Sequence, residues 1–112
     1  MKLDTLTSEK IKVFIEEGKA SSKEICQIFF DQIEKSNSKI KALLHFDSNF
    51  AFQQADRIDR MQAEGKPLPE LAGLPMVIKD NILIKGLRCT CGSKNLENFV
   101  APYNATVIEK LE

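Results

Sequence analysis

Three polar residues that could take part in chemistry follow directly on a short apolar run: Lys79, Asp80 and Asn81 come after residues 75–78. An unbroken apolar run of this length, opened by a proline, is typical of a strand buried on both faces. In sheets that are covered by helices on both faces, ligands bind at the carboxyl ends of the strands. One interpretation of the pattern is therefore that the three polar residues are part of an active site.

The alternation of side chains along a strand separates the members of this triplet. Lys79 would share a face with Val77, and Asp80 would share the opposite face with Ile78. Desolvation on a buried face pushes a lysine toward its uncharged amine, which is a base. The alternative is that the strand ends with a lysine whose ammonium group lies in water, and that Asp-Asn starts a turn. Spacing alone leaves both interpretations open.

The residues around the triplet resemble the amidase signature family. The matching blocks are GLPMVIKDNI at 73–82, Lys85-Gly86, TCGS at 90–93, Leu96, and YNATV at 103–107. The KDNI and TCGS blocks are specific when they occur together in this order. The resemblance covers nearly the whole chain, most clearly from Leu71 onward. Within the family, the chain is most similar to the A subunits of tRNA-dependent amidotransferases.

The resemblance implies a particular serine chemistry, which uses a triad of a serine, a serine on a cis peptide bond, and a lysine. A neutral lysine takes a proton from the cis serine, which in turn activates the nucleophilic serine. Lys79 matches the family's lysine. The two serines belong to a glycine- and serine-rich stretch that these 112 residues do not contain, and Ser93 is not a candidate nucleophile because it lies in the TCGS block. The supporting residues are expected to be Asp80, Asn81, Thr90 and Gly92.

The same resemblance implies the reaction and the partners of the whole enzyme. Glutamine would be hydrolysed through an acyl-enzyme, and the ammonia would convert Glu-tRNA(Gln) to Gln-tRNA(Gln) for translation. A B subunit would bind the tRNA and activate its glutamate with ATP and Mg²⁺, a small C subunit would complete a heterotrimer, and this chain would need no cofactor of its own. Two alternatives remain open: a stand-alone amidase that acts on a small amide, and a truncated, non-catalytic product that only packs against a partner.

Charge and cysteine content limit the function classes. Lys plus Arg equals Asp plus Glu, 16 each, and no basic run provides a surface for direct nucleic-acid binding. The N-terminus lacks the apolar core of a signal peptide and no stretch is long enough to span a bilayer, so we expect a cytoplasmic chain without a membrane partner. Reduced thiols are the default there. Cys89, Cys91 and the single histidine, His45, do not have the spacing of a metal site.

Cys89 is a departure from the family pattern. The family usually places a small or hydroxyl residue immediately before TCGS, whereas this chain has a cysteine there. The change leaves Lys79 untouched.

Periodicity and end signals predict three helices in the first part of the chain. The first begins at Thr7 or Ser8 and ends at Gly18. The second begins with a capping box, Ser21 and Glu24, and runs to about Lys35. The third runs from Asp47 or Ser48 to about Glu64. A turn is expected at 37–38 and a linker at 66–70, and residues 40–46 are expected to form a strand, with a helix as the alternative.

The fold class predicted for the chain is α/β. Residues 1–66 form a helical lead-in, and residues 71–112 form a strand-turn segment that carries the family lysine and opens a large mixed sheet. Lys85-Gly86 is expected to make a tight turn, and a last helix is expected to begin after Asn104 as its N-cap. Because no C-cap signal follows that helix, we expect residues 1–112 to be the N-terminal fragment of a single, larger amidase domain.

Overall fold

The computed structural model describes residues 1–112 and consists of helices joined by irregular segments. The helices are α1 (Ser8–Glu16), α2 (Ser22–Ile40), α3 (Ser48–Ala63) and α4 (Thr106–Leu111), and short 3-10 turns occupy Leu3–Thr5 and Lys94–Leu96. The chain divides into two compact units, Met1–Pro75 and Met76–Glu112. No helix combines the length and the apolar character that crossing a membrane requires.

The predicted starts of the first three helices are confirmed, because each depends on a local cap. The Thr7 hydroxyl accepts a hydrogen bond from the backbone of Lys10 at the start of α1. At the start of α2, Ser21 Oγ accepts from Glu24 N at 3.0 Å, and Ser21 N donates to the Glu24 carboxylate at 2.8 Å. Asp47 caps α3 in the same way. These bonds satisfy amide groups that a helix leaves without an internal partner.

The first unit is built on the packing of α2 against α3. The apolar faces meet because their residues recur at helical spacing, and full burial of one such side chain stabilises the fold by about 1.5–3 kcal/mol. The Phe30 and Phe52 rings stack with their centroids 5.5 Å apart. The buried apolar residues that α1, α2 and α3 contribute are Ile11, Ile15, Ile25, Cys26, Phe30, Ala55 and Ile58.

A carboxylate on α3 fixes the position of the N-terminus of α2. Asp59 accepts hydrogen bonds from the backbone amides of Ser22 at 2.6 Å and Lys23 at 3.1 Å. Both amides lie in the first turn of α2, where a helix lacks internal acceptors and favours negative charge. The bonds therefore cap α2 and join it to α3 at the same time.

The region between α2 and α3 differs from the prediction. Helix α2 continues past Lys35 to Ile40, so the turn expected at 37–38 is wrong, and the chain reverses instead at Lys41, whose φ is 50°. The strand expected at 40–46 is also wrong. The Asn37 side chain accepts from Leu43 N at 2.9 Å and donates to Leu43 O at 3.0 Å. Because this side chain occupies both backbone groups of Leu43, they do not form a strand ladder.

The strands predicted for the second part of the chain are absent, so the α/β part of the fold class is not confirmed. Residues 75–78 have no regular secondary structure, and Val77 and Met76 are 72% and 47% exposed rather than buried on both faces. The physical reason is that a strand needs a paired neighbour. The only β-bridge in residues 1–112 joins Arg88 and Val100, and it does not extend into a strand.

The second unit is held by a short antiparallel return of the chain. Gly86 N donates to Ala101 O and Ala101 N donates to Leu87 O, both at 2.9 Å, while Ala105 N donates to Leu83 O at 2.9 Å. The predicted N-cap of α4 is wrong. Ala105 holds that position without a side-chain bond, because Asn104 Oδ1 accepts from Lys85 N at 2.7 Å instead.

Gly73 provides a test of the packing in the first unit. We expect Gly73→Ala to destabilise the chain more than Gly65→Ala. Both glycines have a positive φ, 72° and 68°, so both substitutions cost about 1–2 kcal/mol of backbone energy. A Cβ at Gly73 would also overlap with Ile15 Cδ1 and lie 3.0 Å from Ser22 Oγ, whereas a Cβ at Gly65 meets nothing within 4 Å. Overpacking adds about 1–3 kcal/mol at Gly73 alone.

The measurement is the free energy of unfolding in urea for the wild type and the two variants. Equal losses of stability at the two positions would contradict the packing described for Gly73.

Candidate functional site

The KDNI block forms a turn rather than the end of a strand. The carbonyl oxygen of Lys79 accepts a hydrogen bond from Ile82 N at 3.0 Å, which closes a four-residue turn around Asp80 and Asn81. Lys79 is exposed, and its backbone carbonyl makes the contact that closes the turn. Of the two interpretations that spacing left open, the structure supports the second: Asp-Asn starts a turn, and Lys79 does not lie on a buried strand face.

The TCGS block forms a second tight turn. Ser93 N donates to Thr90 O at 2.9 Å, and both central residues have positive φ, 53° for Cys91 and 69° for Gly92. Two consecutive positive φ values are characteristic of a type I′ turn, in which a glycine relieves the strain at one position. Cys91 bears the other positive φ, which is uncommon for a residue with a side chain. Thr90 Oγ1 accepts from Gly92 N at 3.2 Å and closes the turn from inside.

Asp80 joins the two turns, and we call this arrangement the Asp80 clasp: Asp80 together with residues 89–91. One carboxylate oxygen accepts from Thr90 N at 3.0 Å, and the other accepts from the Thr90 hydroxyl. The backbone oxygen of Asp80 accepts from Cys91 N at 2.8 Å and from the Cys89 thiol at 3.4 Å. Thr90 is buried, so these bonds lie partly out of water, where charge-assisted bonds are strong. The clasp holds the TCGS turn beside the residue that follows Lys79.

The Cys89 thiol is the neutral donor in this clasp. Burial raises the pKa of the Cys89 thiol above its usual range, and the neighbouring Cys91 and Asp80 groups act in the same direction. A thiol with a raised pKa stays protonated at neutral pH and can donate to the Asp80 carbonyl oxygen. Cys91, by contrast, is exposed.

The structure brings together three of the four residues expected to support Lys79. Asp80, Thr90 and Gly92 belong to one network of hydrogen bonds, whereas Asn81 is exposed on the turn. Ser93 caps the short 3-10 turn by accepting from Asn95 N, a structural role. The contact of Cys89 with Asp80 was not predicted from the sequence, where its only signal is the unusual residue before TCGS.

Comparison with known proteins decides the family. The model of the family described as Amidase matches residues 24–112, which include both turns and the clasp. The chain belongs to the amidase family. The A subunit of the glutamyl-tRNA(Gln) amidotransferase from Koribacter versatilis is 44% identical over all 112 residues, and its counterpart of the same name from Natranaerobius thermophilus is 45% identical over 111 residues. The chain spans 23% of the length of each of these relatives.

A solved structure is similar to this chain in fold and in sequence. It is described as a vestigial protein complex, bound to an inhibitor, that reveals the evolutionary origins of an s-triazine catabolic enzyme. Its TM-score with the present chain is 0.90 at 29% sequence identity, and the match covers 95% of this amidase chain and 23% of the other chain. The two units of this family member therefore correspond in fold to about a quarter of a larger protein.

Thr90 provides a test of the clasp. We expect Thr90→Val to lower the free energy of unfolding by about 1–3 kcal/mol, because the Asp80 carboxylate loses a buried donor and Gly92 N loses its acceptor. Thr90→Ser keeps the hydroxyl and should retain most of that stability.

The measurement is urea unfolding of the wild type and both variants. If valine and serine at position 90 give the same stability, the hydroxyl bond does not hold the clasp.

Proposed function

We propose that these residues form part of the glutaminase subunit of a glutamyl-tRNA(Gln) amidotransferase and that Lys79 is its general base. The observation that carries the proposal is the Asp80 clasp, which fixes the TCGS turn next to the lysine that matches the family's catalytic lysine. The names of the relatives support the same function, since several at 38–45% identity are A subunits of this enzyme.

The proposed roles follow from the geometry. Both Asp80 carboxylate oxygens accept bonds from Thr90, so Asp80 is assigned to positioning and not to proton transfer. Lys79 is exposed in residues 1–112, so the burial that favours an uncharged amine must come from other parts of the protein. A neutral Lys79 would take a proton from a serine on a cis peptide bond, and that serine would activate the nucleophile. Both serines would lie outside these 112 residues.

The remaining parts of the proposal concern the whole enzyme. An acyl-enzyme formed with glutamine would release ammonia, and a B subunit would use ATP and Mg²⁺ to activate glutamate on tRNA(Gln) before the ammonia reacts with it. A small C subunit would complete a heterotrimer, and the enzyme would work in the cytoplasm. These residues carry equal numbers of acidic and basic side chains, 16 each, whereas surfaces that bind nucleic acid are basic. The charge balance therefore supports a partner subunit as the source of the tRNA contacts.

The experiment uses a chimera in which residues 1–112 replace the matching part of the Koribacter versatilis A subunit, which is 44% identical over this length. The chimera is combined with the B and C subunits of that organism. We expect it to release ammonia from glutamine, and we expect Lys79→Ala to lower this rate by about 10²–10⁴-fold, the usual contribution of a positioned acid or base. The 112-residue chain alone should hydrolyse no glutamine.

Two controls separate the loss of a base from the loss of structure. Lys85→Ala changes a second exposed lysine, whose contact with Asn104 uses only its backbone, and should leave the rate near that of the unsubstituted chimera. When ammonium salt is supplied in place of glutamine, Lys79→Ala should still form Gln-tRNA(Gln), because the added ammonia bypasses the glutaminase step.

A Lys79→Ala chimera that still hydrolyses glutamine would contradict the assignment of Lys79 as the base. An inactive but correctly assembled chimera would instead favour the non-catalytic alternative.

A further inference from the structure

Cys89 and Cys91 both bond to Asp80, Cys89 through its thiol and Cys91 through its backbone amide. The Cys89 thiol and the Cys91 backbone amide both donate to the same atom, the carbonyl oxygen of Asp80, at 3.4 and 2.8 Å. The neighbouring Cys91 group also helps to raise the pKa of the Cys89 thiol. No third histidine, cysteine or acidic side chain joins them to make a metal site. The pair is therefore suited to thiol chemistry rather than to metal binding.

The two thiols differ in accessibility, which gives them different roles. Cys91 is exposed, at the corner of the type I′ turn, whereas Cys89 is 4% exposed. Reagents in solution can reach Cys91 but not Cys89. An accessible thiol beside a second thiol that can displace a bound group is the arrangement found in reactive dithiol pairs.

The spacing also permits a bond between the two sulfur atoms. Cys89 and Cys91 are separated by one residue, so their Cα atoms lie at most about 7 Å apart, even in an extended chain. Disulfides usually span Cα separations of about 4.4–6.8 Å. Closure requires the Cys89 thiol to leave the Asp80 carbonyl oxygen, to which it donates.

We propose that Cys89 and Cys91 form a reversible dithiol–disulfide site that reacts with small, soluble disulfides. The Cys91 thiolate attacks one sulfur of the small disulfide, the S–S bond of that molecule breaks, and one small thiolate leaves with the electron pair and takes up a proton. The Cys89 thiol then loses its proton, its sulfur attacks the Cys91 sulfur, and the second small thiol leaves. Two cysteines are oxidised to one disulfide, and the small disulfide is reduced to two thiols.

The proposed disulfide site lies close to Lys79 in the chain, but formation of the disulfide does not depend on the proposed function. The bond would form in the segment that holds Asp80, the residue next to Lys79. An effect of oxidation on glutamine hydrolysis would rest on the proposed function. The formation of the disulfide itself would not, and it is tested on the 112-residue chain without any activity measurement.

The test treats the folded chain with glutathione disulfide, stops the reaction with acid, and measures the masses of tryptic peptides. Cleavage after Arg88 and Lys94 isolates residues 89–94, which contain Cys89 and Cys91 and no other cysteine. We expect this peptide to become two hydrogen atoms lighter, to hold no glutathione, and to return to its original mass with dithiothreitol. Cys26, which is buried between α2 and α3, should stay reduced and serves as an internal reporter of unfolding.

Single-cysteine variants assign the two roles. In Cys89→Ser, Cys91 should react but keep its glutathione, because no second thiol can displace it. In Cys91→Ser, the peptide should stay unmodified, because Cys89 is buried. Cys26→Ser should behave as the wild type.

Any of three results would overturn the proposal. The first is a wild-type peptide that stays unmodified. The second is a wild-type peptide that retains glutathione or links two chains. The third is glutathione on Cys26 as well, which would show that the unfolded chain had reacted.

Discussion

The second unit of the structure depends on the partly buried carboxylate of Asp80. A carboxylate that leaves water needs donors, and Thr90 supplies two, its amide and its hydroxyl. These bonds require the chain to return to Asp80 after ten residues. The return is made by the tight turn at Lys85-Gly86 and by the antiparallel contacts of Gly86 and Leu87 with Ala101. The type I′ turn at residues 90–93 and the position of Lys79 follow from that constraint.

The parts of the fold that could be predicted from sequence are those that local interactions determine. Ser21 and Glu24 lie three residues apart, and Asp47 precedes the amide that it caps, so the starts of α2 and α3 need no knowledge of the rest of the chain. The end of α2 was not predictable in this way. It depends on the Asn37 side chain, which bonds to Leu43 across the reversal at Lys41 and replaces the turn expected at 37–38.

In the candidate site, too, the local sequence could be interpreted but the contacts between distant residues could not be predicted. The TCGS and KDNI blocks could be identified from their residues, but the bonds between Asp80 and Thr90 join positions whose separation has no periodic signal. A strand at 75–78 was expected because its residues are apolar. Pairing is a non-local requirement, and nothing within residues 1–112 pairs with this segment, so Val77 remains exposed. Lys79 is exposed for the same reason, in agreement with the turn interpretation.

Amide hydrogen exchange, followed by NMR for individual residues, would show whether Asp80 holds the TCGS turn beside Lys79. We expect the amides of Thr90, Cys91 and Gly92, which donate to Asp80 and Thr90, to exchange far more slowly than those of residues 76–78. Asp80→Ala should remove most of this protection at Thr90, whose amide donates to the Asp80 carboxylate, and leave that of α2 unchanged. If Thr90 and Cys91 exchange as fast as residues 76–78 in the wild type, or if Thr90 keeps its protection in Asp80→Ala, the clasp does not organise this unit.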